Sequence, residues 1–292
     1  MFVVDKRMCC GYIMLVGNFN DGNKMKRTLY MGDVHGHFSC MELWAKIVQR
    51  HVSIDEVVVV GDFGFWPGVP EYYYVTNRLG VPLRFIDGNH ENHELLKIAQ
   101  EEESFESSRI SEEYDAEYIP RGTYQDGVFF MGGATSIDKW SRTPGIDWFP
   151  GEAISTEDFY RAADVADAHA DDVKVMVAHD TTEEGYFAIK GRHDIKYEYG
   201  KSDRLALESL HGIVQPKLFI HGHHHFHAVR YINGCTFVSL DQASLRGLPG
   251  FLAAAVSVLD IPSDDLVSSP ELLDYARRCC VVADSNGTII PF

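Results

Sequence analysis

Asp33 and His35 stand two residues apart, directly after the apolar stretch Leu29–Met31 and a glycine. A hard carboxylate beside an imidazole suits a borderline divalent metal such as Mn, Fe or Zn. The pattern recurs four times downstream. Val57–Val60 ends in Gly61-Asp62, Val81–Ile86 in Asp87-Gly88-Asn89-His90-Glu91, Val173–Ala178 in His179-Asp180, and Lys217–Ile220 in His221-Gly222-His223-His224-His225. Each apolar run reads as a buried strand, and in open α/β sheets ligands bind where the carboxyl ends of neighbouring strands meet. The donor set mixes His, Asp and Asn and holds no thiolate. That disfavours a closed structural zinc site and suits an open catalytic one. The strand ends offer Asp33, His35, Asp62, Asn89, His90, His179 and the pair His223 and His225, more than one tetrahedral ion needs. They suit two ions that share a carboxylate.

Helical spacing of apolar residues marks the elements that must position these strand ends. Met41, Leu43, Trp44, Ile47 and Val48 predict a helix over Phe38–His51. Further helices are predicted over Glu71–Leu79, Glu94–Glu103, Thr156–Ala168 with Ser155 or Thr156 as its cap, Ser202–His211 and Pro270–Arg278. Strands are predicted at Gly127–Met131 and Phe251–Leu259. Val229–Ile232 and Cys235–Leu240 flank Asn233-Gly234, a strong hairpin signal. The loop that begins at Gly132-Gly133 and runs to 152 is rich in Gly, Pro, Trp, Arg and Asp. It reads equally as a functional loop or as a surface loop pinned by aromatics. Residues 181–201 read as a polar insertion, and the acidic run Glu101–Glu117 as a solvated face.

The chain has 292 residues, 45% of them hydrophobic and 24% charged, as in an ordinary globular protein with ample core. A net charge of −17 argues against non-specific binding to nucleic acid or to an anionic membrane. No segment is long and apolar enough to span a membrane. The six cysteines include two adjacent pairs and no C-x-x-C, so neither a disulfide framework nor a zinc ribbon is expected, and a reducing cytoplasm fits best. Residues 1–24 read as an N-terminal extension rather than a signal peptide, because no small-x-small cleavage site follows the apolar stretch. Residues 25–260 form the expected domain. Residues 261–292 are expected to be a peripheral segment, a helix and a short strand packed on it.

The ordered blocks GDVHG (32–36), GDFG (61–64), GNHE (88–91), His179 and GHHH (222–225) resemble the signatures of the calcineurin-like metallophosphoesterases. The intervening segments are similar to a branch found in actinobacteria and their phages. The resemblance implies a four-layer α/β/β/α sandwich of two mixed sheets and a metal-dependent hydrolase of phosphate mono- or diesters. It implies two divalent ions, Mn2+ first and Fe, Zn, Ni or Mg as alternatives. Asp33, His35, Asp62 and His225 would hold one ion; Asp62, Asn89, His179 and His223 would hold the other. A hydroxide bridging the ions would attack in line, and His90 would protonate the leaving oxygen. The implied substrate is a phosphorylated small molecule, nucleotide or phosphoprotein.

One departure bears on function. The second block lacks the D-R-G of the protein serine/threonine phosphatases, so the usual partner of the catalytic His and one phosphate-binding Arg are unassigned. Arg142 and Arg192 are the candidates for phosphate contact, with Arg121 and Arg246 behind them, and each also reads as an ordinary structural or surface arginine. A protein-phosphatase-like or nuclease activity is the alternative within enzymes, and a non-catalytic metal-bound scaffold the alternative outside them. Within the histidine tract, a strand period of two would align His221, His223, His225 and His227 and set His224 opposite. Only the G-H-x-H pattern of the family selects His223 and His225. His37 and His93 read as structural or substrate-side, and His51, His169 and His211 as ordinary histidines.

Overall fold

A computed structural model describes residues 25–66, 78–101, 115–190, 198–244 and 268–292. In β1 (Arg27–Met31), Leu29 and Met31 face one way and Tyr30 the other. In β2 (Glu56–Val60), Val57 and Val59 oppose Val58 and Val60. Every one of these side chains is buried. A strand buried on both faces must be apolar without alternation, which is why these runs read as continuous hydrophobic stretches.

The first sheet continues with β3 (Leu83–Ile86) and the short β4 (Glu117–Tyr118), both parallel to their neighbours. Its other half is antiparallel and comes from the C-terminus: β11 (Cys280–Asp284) pairs with β1 along its length, and β12 (Ile289–Ile290) closes that edge. The order is β12-β11-β1-β2-β3-β4. The second sheet is built from β5 (Thr123–Gln125), β6 (Val128–Met131), β7 (Val175–Ala178), β8 (Leu218–His221), β9 (Ala228–Ile232) and β10 (Cys235–Ser239). Its order is β5-β6-β7-β8-β10-β9, parallel in the middle with an antiparallel strand at each edge.

Between the sheets lies one apolar layer that includes Tyr30, Val58, Val60, Ile86, Phe130, Val177, Ile220 and Val238. On the outer face of the first sheet, α1 (Phe38–Gln49) and α6 (Pro270–Cys279) bury Trp44, Ile47, Leu272 and Ala276 against Leu29, Val57 and Phe85. The Trp44 and Tyr275 rings lie 5.0 Å apart at this helix contact. On the outer face of the second, α3 (Thr156–Ala168) and α5 (Lys201–Val214) set Ala162, Ala166, Leu207 and Leu210 against Phe129, Met176, Phe219 and Phe237. Each such fully buried large apolar side chain stabilises the fold by roughly 1.5–3 kcal/mol. The layers are α/β/β/α with two mixed sheets, as the motifs implied. Two shorter helices, α2 (His93–Glu101) and α4 (Glu183–Lys190), follow β3 and β7.

Ser155 caps α3 in a reciprocal box with Asp158: Ser155 Oγ accepts from the Asp158 N–H, and the Asp158 carboxylate accepts from the Ser155 N–H. The start of α5 differs from expectation. Gly200, at φ +71°, turns the chain into the helix, which begins at Lys201, one residue before the predicted Ser202. The C-terminal segment also differs from a merely peripheral one: β11 fills an interior position beside β1, and Val281, Val282 and Ala283 are buried. The predicted strand 251–259, most of the predicted helix 71–79 and the extension 1–24 lie outside the described residues. Among the described residues, no helix is long and apolar enough to cross a membrane.

Candidate metal centre

The carboxyl ends of β1, β2 and β3 in one sheet and of β7 and β8 in the other converge, and the seven predicted donors gather there. Ligand atoms of Asp33, His35, Asp62 and His225 lie within 4.8 Å of one another. Asp33 Oδ2 is 2.9 Å from His225 Nε2, and the Nε2 atoms of His35 and His225 face each other at 3.2 Å. Asp62 turns one oxygen to each group. Its Oδ2 lies 3.6 Å from His35 Nε2, and its Oδ1 lies 3.4 Å from His179 Nε2. Asn89 Oδ1 is 3.2 Å from the same His179 nitrogen, and the His223 ring packs against the His179 ring at 5.0 Å.

This arrangement fits a cation at each end. His179 Nδ1 lies 2.9 Å from the Val60 carbonyl, which can only accept, so Nδ1 carries the hydrogen and a neutral ring leaves Nε2 with a lone pair. That lone pair, Asn89 Oδ1 and Asp62 Oδ1 then point at one place, and three acceptors around one point call for a positive charge. Without an ion the charge must be a proton. Burial pushes the His179 imidazole down, but Asp62 beside it wins and holds its pKa at about 10. Burial likewise raises the two carboxyls. The facing histidines outweigh it, bringing Asp33 to about 2 and Asp62 well below the usual carboxylate range. His35 and His223 go the other way, held by burial at about 4 and about 3, so both stay neutral donors near pH 7.

The backbone is strained at this site. His35, Asp62, His223 and His225 have φ of 49°, 48°, 64° and 46°, a left-handed conformation that costs bulky residues on the order of 1–3 kcal/mol each. Each such turn lies past the end of its strand, outside regular strand geometry. It also corrects the strand-period argument for the histidine tract, because β8 stops at His221. His221 is fully buried, with Nε2 unpartnered among the described residues. His224 bonds the buried Asp180 at 2.9 Å behind the centre. Two glycines are required by close approach. A Cβ on Gly61 would sit 2.1 Å from His179 Nδ1, and one on Gly222 would sit 2.0 Å from Asp33 Oδ1.

His90 follows Asn89 and is not in the donor cluster. Its N–H donates to Asp62 Oδ1 at 2.9 Å, and its ring lies 4.9 Å from that of His35. Arg142 lies along that ring, with Nη1 3.1 Å from Nδ1 and Nη2 3.0 Å from Nε2. A neutral imidazole has one lone pair, so it accepts from one of the two guanidinium nitrogens and not from both. Asp138 Oδ2 accepts from the same guanidinium at 2.9 Å. A cavity of about 300 Å³ opens over Asp62, Asn89, His223 and His225, and Arg142, Tyr186 and Lys190 also line it. Arg192 and Arg246 lie outside the described residues.

Four supporting residues were not singled out by sequence reasoning. Glu91, fully buried, accepts from the N–H groups of Gly64 and Gly88 and ties the second and third donor loops together. Ser136 and Glu152 form a pair behind Asn89, and Asp87 anchors Arg121. Arg121 is therefore structural rather than a phosphate contact. It donates to Asp87 Oδ2 at 2.9 and 2.6 Å and to the carbonyls of Gly151, Glu152 and Ala153. The paired carboxylates in DGNHE carried a hint of Glu91. Nothing local marked Ser136 or Glu152.

Residues 26–227, more than half of the chain, match the profile of the calcineurin-like phosphoesterases. No curated protein matches this chain. Similar solved structures include TT1561 of Thermus thermophilus, at 10% identity over 75% of this chain and 91% of that one, with a TM-score of 0.45. The phosphopantetheinyl hydrolase PptH of Mycobacterium tuberculosis is 14% identical over 77% and 93%, with a TM-score of 0.45. A phosphatase from Mycoplasma pneumoniae is 11% identical over 92% of both chains, with a TM-score of 0.41. Likenesses this distant carry no argument about substrate, and the assignment rests on the profile match. With that match added to the ordered blocks, the chain belongs to the calcineurin-like phosphoesterase family, metal-dependent hydrolases with a dinuclear metal site.

Proposed function

We propose that this protein hydrolyses phosphate esters of small phosphorylated compounds at a two-ion centre in which Asp62 bridges. The observation that carries the reading is Asp62, whose two oxygens face two separate sets of donors. Asp33, His35 and His225 complete one set. Asn89, His179 and His223 complete the other, and Mn2+ suits this mixture of oxygen and nitrogen. When bound, such ions lower the pKa of water and neutralise charge that develops on phosphoryl oxygens.

The chain's own residues supply the rest. Arg142 presents donors beside His90 and would bind a phosphoryl oxygen in the cavity, with Arg192 as a second candidate. His90, held over the centre by its own N–H bond to Asp62, would give its ring proton to the leaving oxygen. The cavity, about 300 Å³, is at the small end for drug-sized ligands and suits a compact phosphorylated metabolite or nucleotide. A cytoplasmic setting fits the four cysteines among the described residues, which are free and buried.

The test is hydrolysis of a chromogenic phosphate monoester and of a diester with Mn2+, beside an Asp62→Asn variant. The reading expects metal-dependent activity on at least one ester and its loss in the variant. No metal-dependent activity on either ester refutes the enzyme reading, and undiminished activity in the variant refutes the site.

A further inference from the structure

Asn89 poses a problem that its neighbours in the cluster do not. The two ends of its side-chain amide have nearly the same shape, yet only Oδ1 has lone pairs to offer a cation. Turned over, the amide would aim an NH₂ group at the ion. Something must choose the end.

We propose that Ser136 and Glu152 are positioning residues that fix the Asn89 amide with Oδ1 toward the second ion, and so govern whether that ion binds. The inference rests on reading Asn89 as a ligand. The backbone N–H of Ser136 donates to Glu152 Oε1 at 2.7 Å and fixes the carboxylate. The Ser136 hydroxyl donates to Glu152 Oε2 at 2.6 Å. A hydroxyl has one hydrogen, so Oγ is then left with lone pairs alone. The group facing Oγ at 2.9 Å must therefore be a donor, and it is Asn89 Nδ2. The chain of bonds has one direction, from Asn89 to Ser136 to Glu152, and that direction leaves Oδ1 beside His179 Nε2 at 3.2 Å. Ser136 and Glu152 are each 1% exposed, and the Asn89–Ser136 bond is buried, so water does not compete for it.

The pair is held in place from behind. The Glu152 carbonyl accepts from the Ala134 N–H at 3.0 Å and from Arg121 at 2.9 Å. Ser136 and Glu152 bracket the segment that carries Arg142. The long loop is thus attached to the metal centre through an amide orientation.

Glu152→Gln is the informative change, because it keeps the shape and reverses the chain. The Ser136 N–H forces the Gln oxygen to Oε1, which places the Gln NH₂ against Ser136 Oγ. The serine hydrogen is then released toward Asn89, where it favours the flipped amide. Metal-free protein should be titrated with Mn2+ by calorimetry. Electron paramagnetic resonance should read the Mn–Mn coupling, and thermal melts should check folding. Wild type is expected to bind two ions, and Asn89→Ala to lose the second; that arm tests the ligand reading by itself. Glu152→Gln is expected to weaken the second ion by about 10- to 100-fold and leave the first unchanged. Ser136→Thr, which keeps the hydroxyl, should bind both. In an Asn89→Asp background both ends of residue 89 are acceptors, so Glu152→Gln should cost nothing there. Second-ion affinity unchanged in Glu152→Gln, while Asn89→Ala loses it, overturns the proposal and spares the ligand reading. A Glu152→Gln loss that persists in the Asn89→Asp background also overturns it. Two tightly bound ions in Asn89→Ala overturn both.

Discussion

Replacing Arg121 by Met removes the anchor behind the centre and keeps most of the side chain's length. Arg121 is 8% exposed and makes its bonds to Asp87, to Asp158 Oδ2 at 3.0 Å and to three consecutive carbonyls. Among the described residues, the Asp87 carboxylate, 1% exposed, would keep only the Tyr118 hydroxyl at 2.8 Å and His93 at 3.8 Å. Breaking a buried pair and leaving one charge unmet costs about 3–5 kcal/mol. Urea unfolding at pH 7 should show a loss of that size. The pH dependence gives a second handle. Burial raises the Asp87 carboxyl, but Arg121 and then His93 outweigh it, so its pKa lies below the usual range. A depressed folded pKa gives stability that is present above the unfolded value, about 3.9, and is lost as pH falls through the folded value. In the variant burial acts without the arginine, so the carboxyl rises instead. The gap between wild type and variant should therefore narrow on acidification, above about pH 4 as the variant's carboxyl protonates and below it as the wild type's does. A loss under about 1 kcal/mol at pH 7, or a gap that widens on acidification, would refute the structural role given to Arg121.

Gly61→Ala would drive a Cβ into His179 at a φ of +99°, so loss of stability together with weakened metal binding is expected; near-wild-type behaviour in a melt and a Mn2+ titration would show that the loop gives way. His90→Ala should slow hydrolysis of an alkyl phosphate by about 10²–10⁴-fold and of a nitrophenyl ester far less, because only the poor leaving group needs the proton. Equal losses on the two esters would count against an acid role. Deleting residues 1–24 should leave folding and activity intact, and a drop in either, read by melting and assay, would assign that segment a structural part.

Much of the fold was legible because its central strands are buried on both faces. The Val57–Val60 run cannot be read as an exposed segment, and the abrupt Gly61-Asp62 ending marks where it stops. The donor loops were legible for the same reason, since each sits just past such a run. Other features depend on pairing across long stretches of chain. The pairing of β11 with β1 joins the two ends of the described sequence, and no local pattern announces it. β4 and β5 have two and three residues, too few for a period to show. Ser136 lies 47 positions from Asn89, and its role appears only when the hydrogen-bond direction is known. The histidine tract misled by period alone, because β8 ends at His221 and the left-handed turns at His223 and His225 break the regular geometry that a period presumes.

An anomalous difference map from crystals grown with Mn2+ tests most directly whether Asp62 bridges two ions. Two peaks flanking Asp62 are predicted, one among Asp33, His35 and His225 and one among Asn89, His179 and His223. A single peak, or a pair that leaves Asp62 out of contact with either ion, would contradict it.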